Sequence, residues 1–314
     1  MAQLPTRALG DSGLEVSIVG LGCNNFGRRV DLEGTRAVID AALEHGVTFF
    51  DTADIYGGQG RSEELLGEVL KGRRDRIVLA TKFGMDMGDG ATRRGARDYV
   101  HHSIEGSLRR LRTDVVDYYW FHQPDEQTPI AETLGALDEL VRAGKVRAIG
   151  ASNFGARQIA EADTVARERG FTRFSAIQNE YSLLEREAER EVLPACERLG
   201  LGFVPYFPLA SGLLTGKYKR GEPGPAGARL SDRAEIASDE QFRLLDALAG
   251  YAAKRGISMT TLAIGALLAR PVVSSVIAGA TKPEQVAANA DAPQWVASDA
   301  DREELEQLLG TWSR

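Results

Sequence analysis

The stretch 48-TFFDTADIYGG-58 begins as an apolar run and then changes abruptly to polar residues. Its start favours a buried strand, Asp51 places a carboxylate at the end of that strand, and the phenol of Tyr56 follows five residues later. Asp, Thr and Gly are also common in turns, so a turn without a chemical role explains the same residues. Whether other strands end in the same way decides between the two interpretations.

Seven further runs of this kind alternate with helical patterns along the chain. The eight predicted strands are 17-SIVGLG-22, 47-VTFFDT-52, 77-IVLATK-82, 115-VVDYYWFH-122, 146-VRAIGAS-152, 175-SAIQNE-180, 202-GFVPYF-207 and 273-VSSVIAG-279. Most are almost continuously apolar, as parallel strands buried on both faces are. The predicted helices are 33–46, 61–72, 97–111, 130–144, 155–170, 185–200, 239–255, 258–269, one from about Pro283, and 300–310.

Eight strand-then-helix units in about 300 residues predict an α/β fold, a (β/α)8 TIM barrel that ends in a C-terminal helix. The turn 10-GDSG-13 lies between two short runs and predicts an N-terminal β-hairpin that caps one end of the barrel. A doubly wound sheet is the alternative, but no G-x-G-x-x-G opens a helix in this chain. No linker is evident, so residues 1–314 are predicted to form a single domain.

The segment 211–239 is long, irregular and rich in Gly, Pro and charged residues. A loop of this length inside a compact domain is usually a functional lid or else disordered. Pro194, inside the predicted helix 185–200, indicates a kink there.

Composition excludes several classes of protein. The chain has 314 residues, 43% of them hydrophobic, and a net charge of −7 without the basic stripe that nucleic acid requires. Its two cysteines, Cys23 and Cys196, have no metal-ligand spacing and are expected to be buried thiols. The most apolar stretch, 259–269, is too short to span a bilayer and predicts a buried helix. The N-terminus has no signal pattern, so we expect a cytoplasmic protein with neither a membrane nor a nucleic-acid partner.

In a barrel, polar residues at the C-terminal ends of the strands meet on one rim, where active sites lie. Those of the predicted strands and the loops after them are Asp51, Tyr56, Lys82, His122, Ser152, Asn153, Gln178 and Tyr206. Each alone has an ordinary explanation, such as a surface lysine, a buried core histidine or a helix cap. Eight such residues at strand ends are much harder to attribute to chance.

Four of these residues together suit the protonation of a carbonyl oxygen. A tyrosine phenol has a pKa of about 10, and the lysine ammonium of Lys82 beside it is expected to lower that value by about 1–3 units. The carboxylate of Asp51 holds the lysine, and a neutral His122 orients the carbonyl group by a hydrogen bond. A hydride for the carbonyl carbon must come from a bound nicotinamide, because no side chain carries one.

At this point the chain resembles the aldo-keto reductase superfamily over nearly its whole length. The resemblance rests on 9-LGDSGLEVSIVGLG-22, 51-DTADIYG-57, 80-ATK-82, 121-FHQPD-125, 149-IGASNF-154, 178-QNEY-181, 205-PYFPLASGLLTGK-217 and 277-IAGATKPEQVAAN-289. It implies a barrel that binds NAD(P)H without a Rossmann fold. It also implies the catalytic tetrad Asp51, Tyr56, Lys82 and His122, with Tyr56 as general acid in carbonyl reduction and base in the reverse reaction.

The resemblance also assigns residues to the cofactor. It places Ser152, Asn153 and Gln178 at the carboxamide, Tyr206 on the nicotinamide ring, Leu209 and Ser211 near the pyrophosphate, Gly22 at a backbone contact, and Gly279, Lys282, Gln285 and Asn289 after the eighth strand. The segment 211–239 matches the loop that closes over the cofactor, and Asp117 matches a carboxylate near Lys82.

One departure bears on the choice of cofactor. Many members have a basic cluster after the eighth strand for the 2′-phosphate of NADPH, whereas Lys282 is the only basic residue in 279–289 here. A lysine binds phosphate as a point charge, without the bidentate fork of arginine. NADPH is the expected cofactor, and NADH is not excluded.

The rim residues Phe26, Ile55 and Phe83 predict an apolar opening for aldehydes or ketones, so the expected partner is a small carbonyl or alcohol substrate. Trp120 is either part of that opening or of the core. Two other functions stay open: a cofactor-sensing regulatory subunit of the same fold with slow turnover, and an aldolase with Lys82 as the Schiff-base amine. The aldolase is disfavoured because an ammonium held by Asp51 is a poor nucleophile.

Overall fold

A computed structural model describes residues 4–231, 233 and 235–310; residues 1–3, 232, 234 and 311–314 lie outside this description. Its strands are β1 (Thr6–Ala8), β2 (Glu15–Ser17), β3 (Val19–Gly22), β4 (Phe49–Asp51), β5 (Val78–Phe83), β6 (Val116–Phe121), β7 (Val146–Ser152), β8 (Phe174–Gln178), β9 (Gly202–Phe203) and β10 (Val276–Gly279). The last eight form one parallel sheet in the order β10-β3-β4-β5-β6-β7-β8-β9.

The sheet closes through hydrogen bonds between the chain around β9 and the chain around β10. The Ser274 amide donates to the Phe203 carbonyl oxygen at 2.9 Å, and the Ile277 amide donates to that of Pro205 at 3.1 Å. The predicted (β/α)8 barrel is thereby confirmed. Strand β9 is shorter than predicted, which is consistent with Pro205, because proline has no N–H to donate to a ladder.

Helices surround the barrel. They are α1 (Leu32–Glu44), α2 (Tyr56–Gln59), α3 (Arg61–Val69), α4 (Arg97–Leu111), α5 (Ile130–Arg142), α6 (Ala156–Arg169), α7 (Val192–Leu199), α8 (Asp239–Lys254), α9 (Met259–Leu268), α10 (Pro283–Asp291) and α11 (Asp299–Gly310). The short α2 was not predicted, whereas the C-terminal helix was.

The prediction of one helix over 185–200 was wrong in its first half. Residues 187–189 form an isolated 3-10 turn, and α7 begins only at Val192. Pro194 therefore lies in the first turn of α7, where backbone N–H groups have no partner within the helix and a missing one costs little. The kink expected at Pro194 is therefore absent, because α7 begins two residues before this proline.

The hairpin of β1 and β2 closes the end of the barrel where the strands begin. Leu9 and Val16 are fully buried with Phe49, Tyr118 and other residues that fill the barrel interior. A Cβ on Gly10 would lie 1.8 Å from the Ser175 carbonyl oxygen, so only glycine allows this approach. The predicted cap is confirmed, and it leaves the opposite end of the barrel for a site.

Two further clusters complete the core. The largest lies between the strands and the helices. The other joins α8, α9 and α11 to the segment 211–239, which contributes Leu213, Leu214, Tyr218 and Leu230. The segment is irregular as predicted, although residues 232 and 234 within it fall outside the description. No helix in the described part of the chain is both long and apolar enough to cross a membrane.

Both cysteines are buried free thiols, as expected. The single-domain organisation of residues 1–314 stays a prediction.

Candidate active site

The structure brings the four residues of the predicted tetrad together at the C-terminal rim. Asp51 ends β4, Lys82 is the penultimate residue of β5, His122 directly follows β6, and Tyr56 begins α2. The parallel register of β4, β5 and β6 aligns these strand ends at one edge of the sheet. Four residues that are far apart in the chain therefore form one cluster.

Lys82 lies at the centre of this cluster and is fully buried. Its ammonium donates to the Asp51 carboxylate and, at 2.8 Å, to the Thr52 carbonyl oxygen. Burial alone would lower the pKa of Lys82, but the charges of Asp51 and Tyr56 outweigh it and raise the pKa. Lys82 therefore keeps its charge.

The Tyr56 ring lies beside this ammonium, with Nζ of Lys82 4.9 Å from the ring centroid. Burial raises the pKa of Tyr56 more strongly than the charge of Lys82 lowers it. The expected net decrease in the Tyr56 pKa is therefore wrong in this structure, because desolvation exceeds the attraction of the ammonium. The phenol holds its proton at neutral pH, as a proton donor must.

His122 approaches Tyr56 edge-on, with the ring centroids 5.8 Å apart and the planes at 81°. Burial and then the positive charge of Lys82 hold the pKa of His122 well below its ordinary value. Its imidazole is therefore neutral at physiological pH. Its Nδ1 atom has no hydrogen-bond partner among the described residues.

Polar side chains predicted for the cofactor extend the cluster along the rim. Asn153 donates from Nδ2 to the His122 carbonyl oxygen at 2.8 Å and to Oγ of Ser152 at 3.1 Å, and accepts from the Tyr206 hydroxyl at 2.7 Å. Gln178 donates to the Asp51 carboxylate at 3.1 Å. Gln178 thus contacts the tetrad itself, which the sequence did not predict.

The chain after β9 adopts strained backbone conformations. Phe207, Ala210 and Ser211 have φ angles of 53°, 45° and 57°, in the left-handed region that residues other than glycine rarely adopt. Such strain persists only where the surroundings enforce it and is frequent at functional sites. It coincides with Leu209 and Ser211, the residues predicted to lie near a pyrophosphate.

Three cations close to this strained turn were not among the predicted cofactor residues. The guanidinium of Arg229 lies 5.0 Å from the Phe207 ring centroid, and Arg29 donates to the Gly227 carbonyl oxygen. Burial, and then the charges of Arg29 and Arg229, lower the pKa of Lys217. Partial desolvation, and then Arg29 and Arg28, lower the pKa of Arg229. Because Lys217 and Arg229 lie in the irregular segment 211–239, the sequence does not place them beside Arg29.

The residues after the eighth barrel strand lie at its open end. Gly279 ends β10 opposite Gly22, and exposed Lys282 immediately precedes α10. Oε1 of Gln285 accepts from the Thr281 amide at 2.7 Å, and Lys282 is the basic residue of this turn. Asn289 is buried on α10.

The predicted substrate opening stays a prediction, although two of its three residues are buried. Phe26 and Phe83 are fully buried in the main core, and of the three predicted residues only Ile55 is partly exposed. Trp120 is also fully buried, inside the barrel with its ring centroid 4.4 Å from that of Tyr118. Phe83 and Trp120 lie on strands, and the sequence alone does not show which face of a strand each side chain occupies.

Asp117, expected near Lys82, lies near the beginning of β6 instead. It accepts from the Leu79 amide at 2.8 Å and pairs with Arg74 and Arg147. Its role is to join neighbouring strands and bind arginines away from the tetrad.

Comparison with known proteins agrees with this geometry. A family model described as the aldo/keto reductase family matches residues 18–309. The chain belongs to this family. Members of the aldo/keto reductase family generally use NAD(P)H and act on small carbonyl substrates.

Two kinds of relative are found. The chain is 39% identical to an uncharacterised oxidoreductase, YrpG, of Bacillus subtilis (strain 168), over 88% of this chain and 87% of the relative. It is also 37% identical to a probable voltage-gated potassium channel subunit beta of Oryza sativa subsp. japonica, over 90% and 89% of the two chains. A protein of Arabidopsis thaliana with the same description is 35% identical over the same shares. The family therefore includes relatives described as enzymes and as channel subunits.

Proposed function

We propose that this aldo-keto reductase is an NADPH-dependent enzyme that interconverts aldehydes or ketones with alcohols. The observation that carries the proposal is the buried Asp51–Lys82 ion pair beside the phenol of Tyr56, with a neutral His122 facing the same ring. A protonated phenol beside a fixed cation is suited to give a proton to a carbonyl oxygen and to carry the negative charge that remains.

The residues along the rim are suited to a nicotinamide dinucleotide. Asn153 and Gln178, with Ser152, offer the donors and acceptors that a carboxamide needs, and the partly exposed ring of Tyr206 offers a stacking surface. Lys217 and Arg229 supply positive charge beside the strained turn that holds Leu209 and Ser211, as a pyrophosphate requires.

The remaining cofactor residues follow from their positions. Gly22 and Gly279 leave room at the ends of β3 and β10 for a close approach of the cofactor, and Asn289 and Gln285 lie on α10 for its adenine. Lys282 is assigned to the 2′-phosphate, and this assignment is the basis for preferring NADPH to NADH.

When bound, the cofactor supplies the hydride for the carbonyl carbon. Tyr56 donates its proton to the carbonyl oxygen, and the ammonium of Lys82 stabilises the phenolate that forms. Asp51 keeps Lys82 charged and in place. Neutral His122 donates a hydrogen bond that orients the carbonyl oxygen. In alcohol oxidation, Tyr56 works in the opposite sense and accepts the proton.

Tyr56→Phe tests the proposal because it removes only the acidic hydroxyl. We expect kcat for reduction of simple aldehydes to fall by at least about 100-fold, the usual contribution of a general acid. The dissociation constant of NADPH, measured by fluorescence titration, is expected to change little. A variant that retains full turnover would contradict the role of Tyr56 as acid.

The second candidate is a cofactor-sensing subunit with slow turnover, and it is favoured by the channel-subunit descriptions of two relatives. A slow protein that retains its cofactor and copurifies with a membrane partner would support this candidate. Steady-state oxidation of NADPH with a panel of aldehydes and ketones would support the enzyme.

A further inference from the structure

A second buried acidic group lies within the loop that leads to Tyr56 and has no part in the proposed reaction. Asp54, between Asp51 and Tyr56, is only 2% exposed, and its Oδ1 atom has no hydrogen-bond partner among the described residues. Its backbone N–H donates to the Lys82 carbonyl oxygen at 3.1 Å. Asp54 therefore joins the loop of the acid to the strand of the lysine.

The carboxyl group of Glu63, on α3, interacts electrostatically with that of Asp54. Glu63 is fully buried and accepts hydrogen bonds from Thr81 at 2.5 Å and from Nε of Arg110 at 2.7 Å. Arg110 is thus paired with Glu63, and Asp54 has no ion-pair partner among the described residues. Two buried carboxylates of which only one is paired with a cation do not both ionise easily.

The charge of Arg110, a hydrogen bond from the Ile55 amide and the charge of Lys82 favour the ionised form of Asp54, but burial and the charge of Glu63 outweigh them. The titratable groups that interact with Asp54 and with this acidic region are Glu63 on α3, Tyr99 and Arg110 on α4, Lys82 on β5 and Tyr119 on β6. Lys82 is already held by Asp51, and Tyr119 is a fully buried phenol whose hydroxyl has no hydrogen-bond partner in the part of the chain that the structure describes. Burial and then the charge of Glu63 raise the pKa of Asp54 to about 8.

We propose that Asp54 is a positioning residue that carries a proton at neutral pH, and that this neutral form lets the Tyr56 loop stay packed against the Lys82 strand, to which the Asp54 amide donates. Its ionisation in alkaline solution places a buried, unpaired charge inside this loop and displaces Tyr56 from Lys82. Small displacements of a catalytic group lower turnover strongly. Activity is then lost at alkaline pH through ionisation of Asp54. Ionisation of Tyr56 does not cause this loss, because the Tyr56 pKa lies above its ordinary value.

The consequence for stability has a definite sign. A carboxyl group with a pKa near 4 in the unfolded chain and about 8 in the folded chain binds more protons in the folded state between these values. The stability of the fold must therefore fall as the pH rises through this window. An asparagine at position 54 keeps the shape of the neutral acid and cannot ionise.

The experiment compares the full-length protein with Asp54→Asn from pH 5 to pH 9. We expect the Tm of the original protein to fall relative to that of Asp54→Asn as the pH rises. The neutral-carboxyl infrared band of the original protein at pH 7 is expected to be absent in the variant. A Tm difference that does not change with pH, or no such band, would overturn the inference. Neither the Tm nor the infrared band depends on turnover. Both therefore test the inference even if the proposed function is wrong, because only the kinetic part rests on that function.

The kinetic part follows the pH profile of kcat for carbonyl reduction. The original protein is expected to lose activity as the pH rises through about 8, whereas Asp54→Asn keeps it. Glu63→Gln serves as a second variant, should Asp54→Asn not fold. Without the facing charge, Asp54 ionises more easily, so the decrease in Tm and kcat moves to lower pH by about one unit. An unchanged profile in both variants would show that Asp54 does not position Tyr56.

Discussion

At the scale of single residues, the proposed preference for NADPH rests on Lys282. It is exposed before α10, and Oε1 of the neighbouring Gln285 is already bonded to Thr281. Because a hydrogen bond from a charged donor contributes about 1.5–3 kcal/mol, Lys282→Ala is expected to weaken NADPH binding by about tenfold or more. NADH binding, which lacks the 2′-phosphate, is expected to stay the same.

Fluorescence titration with both cofactors measures this difference. Lys254→Ala is the matched control, because Lys254 is an exposed lysine at the end of α8. The control is expected to bind both cofactors as the original protein does. Equal losses for NADPH and NADH in Lys282→Ala would remove the reason for preferring the phosphorylated cofactor.

The same scale shows what sequence can and cannot predict of the site. Asp51, Lys82 and His122 were predictable because each lies at the end of a recognisable strand. Lys217 and Arg229 were not, because the irregular segment 211–239 has no periodicity that places its side chains. The direction of the Tyr56 pKa was also missed, since burial depends on packing that local sequence does not show.

At the scale of elements, the contact between α3 and α4 supports the buried acidic cluster from outside. α3 carries Glu63 and α4 carries Arg110, and Gly67 of α3 lies against α4. A Cβ on Gly67 would lie 2.4 Å from the Arg110 carbonyl oxygen and 2.7 Å from the Leu111 carbonyl carbon. Only glycine permits this separation of the two helices.

Gly67→Ala is therefore expected to destabilise the protein by about 1–3 kcal/mol, as overpacking generally does. Gly250→Ala is the control on the exposed side of α8, where an added Cβ has no neighbour within 4 Å. There alanine is expected to stabilise by up to about 1 kcal/mol, because it favours a helix more than glycine does. Chemical denaturation measures the free energy of unfolding of both variants. If Gly250→Ala lost as much stability as Gly67→Ala, the packing argument would be refuted.

Strands and most helices were predictable at this scale because their apolar periodicities are long and uniform. Residues 185–191 misled the prediction because their charged residues suit a helix surface. Their side chains instead pair with distant elements, Arg186 with Glu306 of α11 and Glu189 with Arg270 at 2.9 Å. Contacts so distant in sequence override a local helical pattern.

At the scale of the whole molecule, the two ends of the barrel have separate tasks. The strand ends at Asp51, Lys82 and His122 hold the candidate site. The strand beginnings are closed by the hairpin, which Arg7 ties to the Val273 and Leu268 carbonyl oxygens at 2.7 and 2.9 Å. A change at the hairpin should therefore affect stability without affecting chemistry.

Leu9→Ala tests this separation, because Leu9 is fully buried in the barrel interior. The cavity left by the shorter side chain is expected to cost about 3 kcal/mol of unfolding free energy. At temperatures where the variant is folded, kcat and the NADPH dissociation constant are expected to match those of the original protein. Val296→Ala is the control, since Val296 is 41% exposed and its truncation is expected to change stability little. If Leu9→Ala lowered kcat tenfold while fully folded, the hairpin would have to act on Tyr56 across the barrel interior, and the two ends would not be independent.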